Sequence, residues 1–319
     1  MIVTVTLNAA MDRTLVVPSF HIGLRHRASS GHVSAGGKGI NVARALKRLG
    51  VPVVCTGLAG GRNGTLVVED LTNEGILNDL VRIREESRTS TLVLDPIAST
   101  TTEVYEWGPE VADDELAILR EKLAYLVQGA EFVVFAGSLP RGVDPGIYGE
   151  LIRETNRRGL LAVLDCEGEA LRLGVEAEPF LVSPNQREAE ALVGHEFNDE
   201  EDLAVALDEI AHLGARNVII TLETGCYALL REDRSEVRLR ASVPRLEPLS
   251  DAGSGDTLLA GFIGARVAGR SLEDAVRAGV AAGAASVLEP GPGRFDPKEM
   301  AKIAPQVTVA PLERVAHEA

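Results

Sequence analysis

Short apolar runs alternate with amphipathic stretches along most of the chain, and this alternation limits the available folds more than any other feature. Runs 2–7, 53–58, 131–135, 160–164, 180–182 and 217–221, among them "IVTVTL" and "FVVF", are almost continuously apolar. Strands covered on both faces read this way, whereas a strand with one wet face alternates. Between them, 40–49, 65–74, 114–126, 145–158, 188–193 and 199–213 place apolar residues at i, i+3 and i+4, the period of a helix with one buried face. Repeated β–α units of this length predict an α/β fold, a doubly wound and mostly parallel sheet flanked by helices. The 319 residues are taken as one domain.

Two segments break the rhythm. Residues 13–34 and 88–107, with "RTLVVPSF", "TSTLVLD" and "TTEVYEW", alternate apolar with polar residues and are expected as half-exposed antiparallel strands. They form a small β appendage inserted into the core, a lid. The last 65 or so residues turn helical and alanine-rich, as in "SLEDAVRAGVAAGAASVL". Small residues there either let helices pack closely or leave room for a flat ligand.

Charge narrows the partners. With 32 Lys and Arg against 47 Asp and Glu, the chain carries a formal −15, so nucleic acid is not an expected partner. A small anion remains possible where arginines cluster locally. Cys55, Cys166 and Cys226 are widely spaced without a CxxC, which argues against a disulfide framework or zinc site and for a reducing cytoplasm. His21, His26, His32, His195, His212 and His317 form no HExxH, and no GxSxG occurs. "MIVTVTLNAAMD" reads as a first strand and not a signal peptide. No apolar run nears the roughly 20 residues of a membrane span.

Two glycine stretches carry the chemistry. In "SAGGKGINVARALKRLG" (34–50), Gly36, Gly37, Lys38 and Gly39 precede a helix. Neither GxGxxG nor GxxxxGK[ST] is present. Bare amides at a helix start can hold an anion or sugar hydroxyls, and a tight turn before a packed helix would use the same residues. In "DAGSGDTLLAGF" (251–262), Gly253, Ser254 and Gly255 precede Asp256. Asp256 there is either a helix cap or a base. As a base it would take a proton from an attacking hydroxyl, with the neighbouring amides steadying a transferred phosphoryl group.

Taken together and in this order, the stretches resemble the two signatures of the ribokinase/PfkB carbohydrate kinase family. "AGGKGINVARALKRLG" is similar to the N-terminal one, "DAGSGDTLLAG" to the C-terminal one with its G[AS]GD core, and "NQREAEAL" to the NxxE motif at Asn185 and Glu188. The resemblance covers nearly the whole chain. It is strongest to the hexose-phosphate branch, the 1-phosphofructokinase and tagatose-6-phosphate kinase group, through "TVTLNAAMD", the lysine of "GGKG" and "AGSLPRGV" at 136–143.

The resemblance implies a ribokinase-like fold using ATP and Mg²⁺. The reaction it implies is phosphorylation of a ketohexose phosphate (fructose 1-phosphate, fructose 6-phosphate or tagatose 6-phosphate) to the bisphosphate. A kinase of an unphosphorylated sugar or nucleoside, or a silent sugar-binding regulatory protein, would share the scaffold. By the same resemblance Asp256 is the catalytic base, and the amides of Gly253, Ser254 and Gly255 are the anion hole. Asp12, Gly37 and Asn41 contact sugar hydroxyls, while Arg25, Arg27, Lys38, Arg88, Ser138 and Arg141 serve the phosphate already present. Asn185 and Glu188 organise Mg²⁺ through water, and Thr221, Gly225, Gly253 and Gly255 meet the nucleotide. Arg25 and Arg27 are expected on the strand leading to the first glycines. With no His or Lys near Asp256 in sequence, an ordinary pKa is expected for it.

Three positions depart from the family pattern. Glu223 replaces a usual glycine after "TL". Ser250 and Asp251 stand ahead of the anion hole, so a monovalent-cation site is not carried over. Tyr105 occupies a lid position where the branch commonly has asparagine. Lid strands with one apolar face are marginal alone, which points to a homodimer joined through the lid.

Overall fold

A computed structural model describes residues 1–232, 235–247 and 249–313; His317 lies outside the described residues. Its strands are β1 (Ile2–Thr6), β2 (Ala10–Val16), β3 (Ser30–Gly36), β4 (Val53–Gly60), β5 (Leu77–Asn78), β6 (Val81–Ile83), β7 (Arg88–Asp95), β8 (Thr100–Tyr105), β9 (Phe132–Ala136), β10 (Leu161–Asp165), β11 (Leu181–Val182), β12 (Val218–Leu222), β13 (Gly225–Glu232), β14 (Ser235–Ser242) and β15 (Thr308–Pro311). Its helices are α1 (Lys38–Arg48), α2 (Gly61–Asn73), α3 (Asp113–Leu126), α4 (Ile147–Arg157), α5 (Gly168–Val175), α6 (Gln186–Val193), α7 (Glu200–His212), α8 (Ser254–Val267), α9 (Leu272–Ser286) and α10 (Pro297–Ile303).

The large sheet runs β15-β14-β13-β12-β11-β10-β9-β1-β4-β5, with β6 also paired to β4. All six apolar runs become its parallel strands from β12 to β4. Their side chains alternate between two cores, one on each face. Phe132 and Val134 point into one core, Val133 and Phe135 into the other. That double burial is why these strands lack a polar face.

Beyond β12 the sheet turns antiparallel through β13, β14 and β15, an edge the sequence reading did not anticipate. α8 and α9 pack tightly across small residues. A Cβ on Gly261 would lie 2.8 Å from the Ala278 carbonyl oxygen, and one on Gly279 2.9 Å from that of Leu258. Of the two uses open to those small residues, close packing accounts for these.

The second sheet, β3-β2-β7-β8, is the lid. β2 and β3 form one antiparallel pair and β7 and β8 another, but the central pair, β2 with β7, is parallel from Ala10–Arg88 to Val16–Leu94. This corrects the expectation of antiparallel strands throughout. β1 and β6 run the same way in the core sheet, so the chains leaving them enter the lid side by side in one direction.

Among the described residues no helix is long and apolar enough to cross a membrane. The three cysteines are free and buried.

Candidate active site

In open α/β sheets, ligands bind outside the carboxyl ends of the strands, and here those ends open into a cleft of about 1510 Å³. Thr6, Ser138, Asp165, Ser183 and Thr221 stand at or just past the ends of β1, β9, β10, β11 and β12, and all line it. The N-termini of α1, α6 and α8 enter from the sides, and Arg88, Glu103 and Tyr105 reach in from the lid.

Asp256 is not a cap. Gly253 caps α8 in the left-handed conformation, φ 75°, and Asp256 sits in the first turn with its carboxyl in the cleft wall. A side chain at 253 would meet both a conformational penalty and the Pro292 Cβ, 2.7 Å from an added Cβ. Asn41 Nδ2 donates to Asp256 Oδ2 at 2.8 Å. The Ser254 amide donates to the Asp251 carbonyl at 3.2 Å, which removes it from the expected anion hole. The Gly255 and Asp256 amides have no acceptor among the described residues, as the free N–H groups of a helix's first turn should.

The expected ordinary pKa for Asp256 is overturned. It is 5% exposed, and burial, reinforced by the charge of Asp165, pushes it up to about 7 against the pull of Lys38 and the Asn41 hydrogen bond. Neighbours brought in by the fold set this value, and none of them is local in sequence.

Lys38 lines the cleft with its ammonium held by two carboxylates. Its Nζ donates to Asp165 Oδ1 at 2.8 Å and Glu188 Oε1 at 3.0 Å, because α1 begins where β10 and α6 present these two carboxylates. Burial pulls the ammonium down, but Asp165, Glu188 and Asp256 more than offset it and hold Lys38 well above the usual lysine value. Burial raises Glu188, with Lys38 opposing. Asn185 and Glu188 form a capping box at the start of α6. Asn185 Oδ1 accepts from the Glu188 amide and Glu188 Oε2 from the Asn185 amide, each at 2.9 Å.

Thr221 lines the cleft at the end of β12, bridged to Asn185. Gly225 also lines it, though its lack of a side chain answers to packing, since a Cβ there would lie 1.9 Å from the Ala241 carbonyl oxygen. Glu223, in the turn before β13, pairs with Arg245 at 2.7 Å.

On the lid side Asp12 faces the cleft beside Arg88. Burial pushes Asp12 up to about 6 despite Arg88 and Arg44. Arg88 donates from Nε to the Asn8 carbonyl at 3.3 Å and from Nη1 to Ser90 Oγ at 3.2 Å, and it lies 5.7 Å from the centre of the Tyr105 ring. Asn8 Nδ2 donates to Ser138 Oγ at 3.1 Å. Arg141 lines the cleft but spends Nε on the Gly108 carbonyl at 2.8 Å. Gly37 caps α1 with φ 115°, and a Cβ would meet Thr6 Cγ2 at 2.7 Å.

Arg25 and Arg27 are not brought to the cleft. They lie on an exposed loop ahead of β3 and not on the strand itself.

Asp165, Asn8 and Arg44 escaped the sequence reading. Asp165 had a signal, an aspartate closing a buried parallel strand. Asn8 sits in "TLNAAMD" and offered only its place in that motif. Arg44 carried no signal of its own within the amphipathic run, yet it is 2% exposed.

A carboxylate beside unpaired helix amides, with a lysine and an arginine lining the same cleft, is equipment for moving a phosphoryl group onto a hydroxyl. The fold and site define a kinase of the doubly wound α/β class. The model of the pfkB family carbohydrate kinases matches residues 3–299, and the chain belongs to that family, the ATP-dependent sugar kinases. It is 32% identical to a 1-phosphofructokinase of Rhodobacter capsulatus over 98% of this chain and 99% of that one. It is 33% identical to the 1-phosphofructokinase of Borreliella burgdorferi, over 91% and 92%. Phosphofructokinase-2 from Escherichia coli, solved in complex with substrates and products, superposes with a TM-score of 0.86 at 30% identity, covering 95% of this chain and 98% of that one.

Proposed function

We propose that the protein transfers the γ-phosphoryl group of ATP to the free primary hydroxyl of a ketohexose phosphate, fructose 1-phosphate foremost. The observation that carries this reading is Asp256, buried in the cleft with one oxygen held by Asn41 and free amides beside it. The substrate preference is supported by whole-length relatives named 1-phosphofructokinase.

Asp256 takes the proton of the hydroxyl as its oxygen attacks the γ-phosphorus in line. The bond from phosphorus to the bridging oxygen breaks, and ADP leaves with that electron pair. The amides of Gly255 and Asp256, with Gly253 behind them, face the charge spreading over the transferred group. Asp12 and Asn41 orient sugar hydroxyls, and Arg88 with Ser138 receives the resident phosphate. Lys38 neutralises Asp165 and Glu188, which would otherwise repel nucleotide phosphates.

Mg²⁺ fits this site only as a hydrated ion carried by the nucleotide. Among the described residues no three His, Cys, Asp or Glu side chains converge on one point, and magnesium keeps several waters readily. Glu188 and Asn185 would hold those waters, and the ion would offset charge on the phosphates.

The outer face of the lid supports a homodimer. Register places Asp12, Ser34, Ser90 and Tyr105 in one row, with Val33, Arg13, Thr91 and Val104 in the next, on the opposite face. Val33 and Val104 are exposed there. Arg25 and Arg27, outside the cleft of their own chain, would face a sugar phosphate only across such an interface. Three free buried thiols suit a reducing cytoplasm.

The test is ADP release with fructose 1-phosphate, fructose 6-phosphate, tagatose 6-phosphate and free fructose at matched concentrations. The highest kcat/KM is expected for fructose 1-phosphate, and Arg88→Ala should raise its KM by roughly 10–100-fold, the worth of one or two charge-assisted hydrogen bonds. Preference for free fructose would replace this reading with that of an unphosphorylated-sugar kinase. ATP binding without any ADP release would leave a silent sugar-binding protein.

A further inference from the structure

We infer that Arg44, which does not line the cleft, is a positioning residue: its guanidinium fixes the Asn41 amide so that Nδ2, and not the carbonyl oxygen, faces Asp256. The inference rests on reading Asp256 as the base.

Arg44 lies one turn beyond Asn41 on α1 and is almost fully enclosed. Its Nη1 donates to Asn41 Oδ1 at 3.2 Å and to the Pro292 carbonyl at 3.2 Å. Nη2 donates to the Ala35 carbonyl at 2.8 Å, and Nε to Glu74 Oε2 at 2.6 Å. A guanidinium has five donors and no acceptor. A side-chain amide has an acceptor on one side and donors on the other. Turned over, Asn41 would set its NH₂ against Arg44 and its oxygen against the Asp256 carboxylate. Two hydrogen bonds would become two repulsions in a buried place, where an unmet polar group is costly.

One orientation therefore survives. In it Asn41 occupies Asp256 Oδ2 and leaves Oδ1 for the incoming hydroxyl. Arg44 is itself braced, since Glu74 also accepts from Arg294 at 2.6 Å, and Asp70, 3.8 Å from Nη2, accepts the Ala35 amide at 2.7 Å. Through Pro292 the same guanidinium steadies the loop packed against Gly253. One buried cation thus holds both the donor to the base and the wall behind the anion hole.

If Arg44 merely tied α1 to α2, its loss would be a matter of stability alone. Comparing Arg44→Lys with Arg44→Gln separates the two roles. Lysine is shorter, but its ammonium still only donates, whereas glutamine offers an acceptor and frees Asn41 to turn. Both variants should melt lower than the wild type. Arg44→Lys should keep kcat within about threefold, while Arg44→Gln should lose on the order of 10–100-fold in kcat with KM for ATP unchanged, the scale of a misplaced catalytic group. Equal kcat in the two folded variants, or wild-type kcat in Arg44→Gln, overturns the inference.

Should Arg44→Gln not fold, neutron diffraction from the deuterated wild type decides. Two deuterons are expected on the Asn41 atom nearest Asp256, and a bare oxygen there overturns the inference. Failure of the underlying reading would show separately, as wild-type turnover by Asp256→Asn.

Discussion

At the scale of single residues, the site's chemistry follows from how few charges share one dry pocket. Asp165 and Glu188 hold Lys38, their charges reach Asp256, and burial raises Asp256 to about 7. A base must be ionised to work, so kcat/KM should fall tenfold per pH unit below about 7. That limb lies above the second pKa of the substrate phosphate, near 6, and a profile flat down to pH 6 would contradict the assignment. The same shift has a stability consequence. Between the ordinary carboxylate value and about 7 the folded state keeps a proton that the unfolded state releases, so stability falls as pH rises through that window and the full penalty remains above it. Asp256→Asn removes the penalty. It should lose on the order of 10²–10⁴ in kcat yet unfold at higher temperature than the wild type at pH 8, by roughly 1–3 kcal/mol, with the gap narrowing at pH 5. Calorimetry at both pH values checks it, and an equal gap at both would contradict the ionisation account. Asp256 was legible in the sequence because glycines announce it; its raised pKa was not, since it comes first from burial in the folded cleft and then from Asp165 on β10 and Glu188 on α6.

At the scale of elements, helix starts do the positioning. α8 opens on a left-handed Gly253 with Pro292 against it, so the first-turn amides cannot move without moving that loop. Gly253→Ala meets a strained φ, costing about 1–2 kcal/mol, and a collision with Pro292. We expect a lower melting temperature together with a kcat loss of at least about tenfold, measured by ADP release, while KM for the sugar phosphate stays near the wild-type value. A variant with unchanged kcat would mean that this turn does not shape the anion hole. The first helix shows why some elements were readable and others were not. Gly36–Gly39 before an amphipathic run marked α1 and its place at the cleft, but the partners of Lys38, Asp165 and Glu188, were not readable from it. Spacing along one helix cannot report which strand end that helix will face. Arg25 and Arg27 likewise end on a loop outside the cleft of their own chain, a placement that nearness to the glycines in sequence does not convey.

At the scale of the whole molecule, the parallel core was legible because burial on both faces leaves continuous apolar runs. The antiparallel edge from β13 to β15 was not, since "GCYALLRE" and "SEVRLRAS" each mix buried with charged positions and follow no turn signal strong enough to separate them from loop. The lid was found by alternation, but its parallel centre depends on where β1 and β6 leave the core, which no local pattern encodes. That geometry also gives the lid its two unlike faces, one row carrying Asp12 and Tyr105 toward the cleft and the next carrying Val33 and Val104 away from it. We propose that the exposed valines of that outer row, Val33 and Val104, pack against the same row of a second copy by two-fold symmetry. Val104→Glu places a carboxylate in that contact without touching the row that faces the cleft. Sedimentation should find the wild type as a dimer at micromolar concentration and Val104→Glu as a monomer, with KM for the sugar phosphate raised because each lid loses its support. A Val104→Glu protein that stays dimeric would move the interface elsewhere on the molecule, and a wild type that sediments as a monomer would end the lid-to-lid assignment.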